Sequence, residues 1–209
     1  NSPLLLGRSL YDKEFDLHTT QFYANALAVS RQLLGAQAEF KGDHAILKRP
    51  KNGAPTPWHV DEAYWGDGRD VYEALGVWCP LQAVDERVGC MRFVPGALDA
   101  FAIPAHQPLG GDTRVHGLEL VDAAAHVRDA DVVACPLAAG DATFHHCRTL
   151  HSTGANDSDD VQRRAYTLSF QASCVRTPHA ALRDGRARAP FAWLAQRNTQ
   201  RQARADASR

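Results

Sequence analysis

Short runs of β-forming residues, rather than helical repeats, fill most of this chain of 209 residues. Glycine, proline and aspartate separate the runs, as at Asp67-Gly68 and Val94-Pro95-Gly96. Helices do not alternate with the runs, whereas a parallel sheet needs a crossover between its strands. The order therefore predicts an antiparallel sandwich or barrel, a mainly β fold with flanking helices. The predicted strands are 44–48, 58–61, 75–84, 90–94, 131–137, 141–146 and 163–174.

Helical periodicity is found near the N-terminus. Apolar residues recur at positions i, i+4 and i+11 between residues 15 and 34, and Gly35 provides a stop. A single domain over 1–209 is predicted, because this length suffices for one sizeable core. Its parts are an N-terminal helix at about 15–35, a β core at about 36–175, a lid-like insert at about 97–130, and a C-terminal helix and tail at about 178–209.

Composition excludes several classes of protein. The formal net charge of −1 argues against a nucleic-acid partner. The chain contains no apolar run of about 18 residues, so no membrane partner is expected, and its start lacks the features of a secretory leader. It opens without Met, which suggests residues upstream. Five cysteines without a CxxC pair favour a reducing, cytoplasmic setting over a disulfide scaffold or thiolate zinc site.

The first candidate for metal chemistry is the pair His59 and Asp61. Two residues apart on a predicted strand, both side chains point to one face, so a single strand offers an imidazole and a carboxylate to one ion. His-x-Asp alone also fits an exposed turn or a capped strand end. The sequence around these residues therefore has to supply a third ligand.

His151 is the candidate for that third ligand. Thr153 shares its parity, Gly154 permits a tight turn, and a strand-like segment follows from Arg163. Two imidazoles and one carboxylate form the facial arrangement typical of non-haem iron(II) sites, with open positions for an organic acid and oxygen. His145 and His146 rank below His151 as ligands. The remaining histidines, at 18, 44, 106, 116, 126 and 179, are expected on the surface or in loops.

The last predicted strand has two different faces. Arg163 shares one face with small and polar residues, whereas Arg164 lies on the other with Tyr166, Leu168 and Phe170. The polar face is predicted to line a cavity, where an inward Arg163 offers a planar fork for a carboxylate. A surface salt bridge with the acidic loop 157–160 is the alternative. By the same parity, Trp78 is either a platform beside a ligand or a core tryptophan.

Four segments together resemble the phytanoyl-CoA dioxygenase family of Fe(II)/2-oxoglutarate oxygenases. They are PWHVDEAYW at 57–65, VWCPL at 77–81, GCMRFVPG at 89–96, and 140–164 with its HSTGAN core. The resemblance covers roughly residues 44–175. It implies a double-stranded β-helix, also called a cupin-like jelly roll, with helices packed on one side.

The resemblance also implies roles for individual residues. His59, Asp61 and His151 match the iron ligands, and Arg163 matches the partner of the distal 2-oxoglutarate carboxylate. Thr153 and Trp78 assist, and Lys48 is a further candidate for the cosubstrate or substrate. Two departures are visible: Val60 replaces a polar residue, and the loop before Arg163 is one residue longer, so Arg164 stays a second candidate.

The implied activity is hydroxylation of an aliphatic C–H of a small-molecule substrate, using Fe(II), 2-oxoglutarate and O2 and releasing succinate and CO2. Desaturation stays open, whereas halogenation is disfavoured because Asp61 is present. Two alternatives remain: a cupin-like metalloenzyme that does not use 2-oxoglutarate, and a non-catalytic jelly-roll binding domain. The pocket is expected to have an apolar component. Trp58, Tyr64, Trp65 and 97–130 are expected to shape it, with Glu62 and Arg92 as polar contacts.

Overall fold

The structure is a computed structural model that describes residues 16–51, 53–65, 70–95, 103–112 and 117–176. At residues 4–6, 70–71 and 173–176 the description covers the backbone alone. The predicted C-terminal helix and tail, about 178–209, lies outside the described residues, as does part of the insert.

Antiparallel strands make up most of the fold. Five form a larger sheet in the order β1-β2-β11-β4-β9, and four form a smaller sheet in the order β3-β10-β5-β8. The strands are β1 (Leu4–Leu6), β2 (Glu39–Lys48), β3 (Thr56–His59), β4 (Asp70–Pro80), β5 (Met91–Phe93), β6 (His106–Pro108), β7 (Leu118–Leu120), β8 (Val133–Cys135), β9 (Thr143–His146), β10 (His151–Thr153) and β11 (Arg163–Arg176).

The two sheets pack against each other through their inner faces. Trp78 and Ala165 from the larger sheet share a buried cluster with Met91 and Phe93 from the smaller one. This arrangement is the expected jelly roll, so the predicted fold class is confirmed.

The outer face of the larger sheet is covered by helix α1 (Gln21–Leu34). Tyr166, Leu168 and Phe170, the apolar face predicted for β11, are buried in one cluster with Leu17 and Ala26. The predicted helix start at residue 15 was too early. The Asp16 carboxylate caps a short 3-10 turn at Leu17–Thr19, and the Thr20 hydroxyl then accepts from the Tyr23 amide as the cap of α1.

Several strand boundaries also differ from the prediction; β2, for example, begins at Glu39 instead of His44. The run 58–61 was predicted as strand throughout, but β3 ends at His59 and a 3-10 turn spans Asp61–Tyr64. Val60 between them keeps an extended backbone, with φ −119° and ψ 144°. The strand predicted at 75–84 occupies Asp70–Pro80 instead, as β4.

The described part of the insert folds against the core. Strands β6 and β7 pair antiparallel as a hairpin. Leu118 and Leu120 of this hairpin are buried in a cluster with Val60, Ala63 and Leu150. The hairpin is therefore packed beside the segment that carries His59 and Asp61.

Within the described residues, no helix has both the length and the apolar character that crossing a membrane requires.

Candidate metal centre and dicarboxylate pocket

Three potential metal donors converge at one mouth of the sandwich. His59 ends β3 and is paired in register with His151, which begins β10. The ligand atoms of His59, Asp61 and His151 all lie within 4.8 Å of one another. Asp61 Oδ1 is 3.9 Å from His59 Nε2 and 3.5 Å from His151 Nε2. The donors predicted from the sequence are thus brought together, in a set that fits an octahedral ion with open positions.

Backbone carbonyls orient both imidazoles. His59 Nδ1 lies 2.7 Å from the Pro57 oxygen, and His151 Nδ1 lies 2.8 Å from the Thr149 oxygen. A carbonyl can only accept, so Nδ1 of each ring must carry the proton. Each Nε2 lone pair is then left for the point shared with Asp61, which is the tautomer that a metal needs.

The protonation states also suit a cation. Burial lowers the pKa of His59. Burial, together with the repulsion that a protonated His59 would exert, lowers the pKa of His151, so both rings are neutral near pH 7. Burial alone would raise the pKa of the Asp61 carboxyl. The imidazoles of His151, His145 and His59 outweigh that effect and hold this pKa well below its usual range. Neutral imidazoles and an ionised carboxylate are the forms that bind metal.

His145 contacts the second oxygen of the same carboxylate. Its Nε2 lies 3.3 Å from Asp61 Oδ2, opposite the oxygen that faces His59 and His151. Gly76, the cross-strand partner of His145, makes this approach possible. A Cβ there would lie 2.7 Å from His145 Nε2, closer than real Cβ atoms come, and 3.0 Å from Asp61 Oδ2, tighter than most real contacts. His145 thus points inward and adjoins the metal donors through Asp61.

His106 was predicted to lie on the surface or in a loop, but it is buried and reaches the same segment from the insert. The amide of Val60 donates to His106 Nε2 over 3.2 Å, and His106 Nδ1 lies 2.6 Å from the Pro104 oxygen. Burial lowers the pKa of His106 to about 4, which keeps Nε2 available as an acceptor at neutral pH. His106 therefore fixes the backbone between two metal donors.

Glu62 and Arg92 do not face the metal donors as expected. Glu62 is buried beside Cys147 and Arg148, whose Sγ and Nη1 lie 3.4 and 3.7 Å from its Oε2. Arg92 pairs with Ser152, the residue between the inward His151 and Thr153, and so projects from the opposite face of the smaller sheet.

Trp58 also faces away from the metal donors. Its ring lies under the Arg92 guanidinium, 5.6 Å from the ring centre. As neighbours of His59 and His151 along their strands, Trp58 and Ser152 point to the outer face. Of the expected pocket aromatics, Tyr64 stays close to the donors, with its ring centre 5.6 Å from that of His59.

Two buried basic side chains lie deeper in the sandwich, behind the metal donors. Lys48 and Arg163 are paired across β2 and β11, and each is 0 % exposed. Lys48 Nζ donates to Thr153 Oγ1 over 2.6 Å and to the Gly154 oxygen over 2.7 Å, while Arg163 Nη2 lies 3.5 Å from the same hydroxyl. Arg163 packs over the ring of Trp78 at 5.4 Å, so this tryptophan is both a core residue and a platform.

The guanidinium of Arg163 is not satisfied by the described protein atoms. Its Nε and Nη1 are buried without a hydrogen-bond partner there, and the same holds for Trp78 Nε1. Burial lowers the pKa of Arg163 to about 10, and burial with the nearby Arg163 lowers that of Lys48 to about 6. Unpaired buried donors around a guanidinium and a second basic side chain are what a carboxylate-binding pocket requires. Arg164, by contrast, is exposed on the other face.

The jelly-roll fold and this donor set are together typical of non-haem iron oxygenases. The family model described as phytanoyl-CoA dioxygenase (PhyH) matches residues 10–165. The chain belongs to this family.

Individual relatives show how far the similarity extends. The solved structure of EvdO2 from Micromonospora carbonacea var. aurantiaca, complexed with 2-oxoglutarate, has a TM-score of 0.71 and 34% identity, covering 84% of this chain and 69% of EvdO2. A probable alpha-ketoglutarate-dependent hypophosphite dioxygenase of Stutzerimonas stutzeri is 26% identical over 71% of this chain and 53% of its own length. L-proline trans-4-hydroxylase of Streptomyces griseoviridis is 26% identical over 73% of this chain and 61% of its own length. The chain thus spans between half and two thirds of these two curated relatives.

Proposed function

We propose that this protein is a non-haem Fe(II)- and 2-oxoglutarate-dependent dioxygenase that hydroxylates an aliphatic C–H of a small-molecule substrate. The proposal rests mainly on the proximity of two groups of side chains. A His-Asp-His donor set lies at the mouth of the sandwich, and a buried Arg-Lys pocket with unpaired donors lies behind it. An iron(II) ion held there would, with 2-oxoglutarate and oxygen, supply the oxidant for an unactivated C–H and release succinate and CO2.

His59, Asp61 and His151 would hold the ion. Their two imidazoles are fixed by backbone carbonyls and their carboxylate by His145, so little reorganisation is needed when a metal binds. This set of three protein donors leaves other positions on the ion for an organic acid and oxygen.

Arg163 and Lys48 would bind the distal carboxylate of 2-oxoglutarate, with Thr153 between them and Trp78 alongside. A dianion offers acceptors to the unpaired Nε and Nη1 of Arg163 and favours the charged form of Lys48. A metalloenzyme that does not use 2-oxoglutarate would leave these buried donors without a partner, which argues against that alternative. A non-catalytic binding domain would need neither the donor set nor this pocket.

Hydroxylation is the reaction we favour. Asp61 occupies the position whose loss frees a coordination site for chloride in halogenating relatives, and it is present here. One relative is by name an L-proline hydroxylase, which supports a small organic molecule as the substrate.

Anaerobic reconstitution with Fe(II) and 2-oxoglutarate tests the proposal. We expect a visible metal-to-ligand charge-transfer band in the wild-type protein, no band in His151→Ala, and weakened 2-oxoglutarate affinity in Arg163→Ala. Arg164→Ala is the matched control, because it removes the same side chain from the exposed face of the same strand. Cosubstrate binding that is unchanged in both His151→Ala and Arg163→Ala would refute the assignment.

A further inference from the structure

The inner face of the larger sheet continues past the metal donors as a polar surface. Because residues alternate along a strand and Arg163 points inward, Thr167, Ser169 and Gln171 of β11 share its face. The residues between them, Tyr166, Leu168 and Phe170, are buried on the other side against α1. In register, Thr167 pairs with His44, and Ser169 pairs with both Gly42 and Gly76.

Hydrogen bonds link these side chains across the two strands. Thr167 Oγ1 lies 2.8 Å from His44 Nδ1, and Lys41 Nζ donates to Gln171 Oε1 over 2.5 Å. We call this surface the polar wall and define it as Lys41, His44, Thr167, Ser169 and Gln171. All five are at least partly accessible to solvent. At its far end the Lys41 ammonium lies 4.3 Å from the ring centres of both Trp65 and Tyr72.

The polar wall begins next to the metal donors, and the described residues leave space in front of it. Ser169 is paired with Gly76, the glycine whose added Cβ would lie 3.0 Å from Asp61 Oδ2. A Cβ added at Gly42, by contrast, would meet no heavy atom of the described part of the chain within 4 Å. A molecule can therefore lie on this surface with one of its carbons near the metal donors.

The chemistry of the polar wall selects among small molecules. It offers hydroxyl, amide, imidazole and ammonium groups, spaced about 7 Å along a strand and about 5 Å between strands. A hydrocarbon lying there would strip water from these groups without replacing its hydrogen bonds, which is unfavourable. A ring that carries several hydroxyls would replace them, because each hydroxyl both donates and accepts.

We propose that the polar wall binds a polyhydroxylated substrate, a sugar or sugar-like ring, and presents it to the metal donors. This inference rests on the proposed function and names its substrate class. It differs from the apolar component expected of the pocket, and Trp58, one of the residues expected to shape that pocket, lies on the outer face of the other sheet.

Ligand-detected NMR on the full chain, loaded with Zn(II) as a redox-inert metal and with 2-oxoglutarate, tests the inference. The polar probes are methyl glucopyranoside, maltose and myo-inositol, and the apolar probes are octanoate and octanol. We expect saturation transfer to at least one polar probe. Gly42→Leu should weaken its binding at least tenfold, and Gly42→Ala should weaken it less, because the larger side chain fills the open space.

A second variant keeps the test independent of bulk. Gln171→Leu should also weaken the polar probe several-fold, whereas Arg164→Leu, on the opposite face of β11, should leave its binding unchanged. Absence of Gly42-dependent binding for every polar probe, or such binding by octanoate or octanol instead, would overturn the inference. The 2-oxoglutarate signal in the same sample separates the two claims, because its loss in the wild-type protein would count against the proposed function.

Discussion

Replacing Gly76 with alanine perturbs the metal donors without touching a donor residue. The added Cβ would lie 2.7 Å from His145 Nε2 and 3.0 Å from Asp61 Oδ2, whereas ordinary contact begins at 3.4 Å. One or both groups must therefore retreat by about 0.4 to 0.7 Å. Overpacking of this kind typically costs about 1–3 kcal/mol.

We expect this overpacking to weaken metal binding more than it destabilises the fold. Alanine restricts the unfolded chain and thereby stabilises a strand by about 0.4–1 kcal/mol, which offsets part of the strain in the metal-free protein. Binding of an ion holds the Asp61 carboxylate in place, so the strain cannot relax by its movement. If about 1–3 kcal/mol acts on the bound state alone, metal affinity falls by roughly 5- to 150-fold.

Anaerobic calorimetric titration with Fe(II), and with Zn(II) as an inert ion, measures the effect, and thermal unfolding of the metal-free protein measures folding. Gly42→Ala is the matched control, since its Cβ, on the same sheet face, would meet no atom of the residues that the structure describes within 4 Å. We expect its metal affinity to match that of the wild type. A Gly76→Ala affinity within twofold of the wild type would refute the view that Gly76 makes room for the Asp61–His145 contact.

Two further predictions concern positioning and charge. His106→Leu leaves the buried Val60 amide without its acceptor, so we expect metal affinity to fall roughly 10- to 100-fold. His106→Gln should recover part of this affinity, because its amide oxygen can accept. Equal metal affinities of the two variants in calorimetric titration would contradict this. Burial and Arg163 lower the pKa of Lys48 to about 6, and a bound dianion favours the ammonium, so binding takes up a proton above about pH 6. Affinity for 2-oxoglutarate, measured by titration of the iron-loaded protein, should therefore fall as pH rises, and a slope that persists in Lys48→Met would exclude Lys48 as its source.

Alternation along strands predicted much of the fold and the orientation of several pocket side chains. In β11 it separated the inward Arg163 from the outward Arg164 and placed Tyr166, Leu168 and Phe170 against α1. This pattern works because successive residues of a strand point to opposite faces wherever the strand runs. The same rule, applied across β3, would have placed Trp58 opposite His59, on the face where the structure has it.

Boundaries were harder to predict because competing local interactions decide them. The Asp16 and Thr20 side chains can each cap a turn, so apolar periodicity alone did not distinguish a 3-10 turn from the start of α1. At the other end of the site, the extended run stops at Val60 and the 3-10 turn begins at Asp61. Val60 still has strand geometry, so Asp61 reaches the side of His59 even though it does not lie on the strand.

The part of the site that the sequence could not predict depends on contacts between distant residues. His106 and its partner Val60 are 46 residues apart, and no periodic pattern connects them. Their hydrogen bond joins hairpin β6–β7 to the backbone between His59 and Asp61, while Leu118 and Leu120 of the hairpin bury Val60 itself. Movement of the hairpin would therefore change the spacing of two metal donors. It follows that a substitution in the hairpin core should weaken metal binding even where the altered side chain lies too far away to touch the ion.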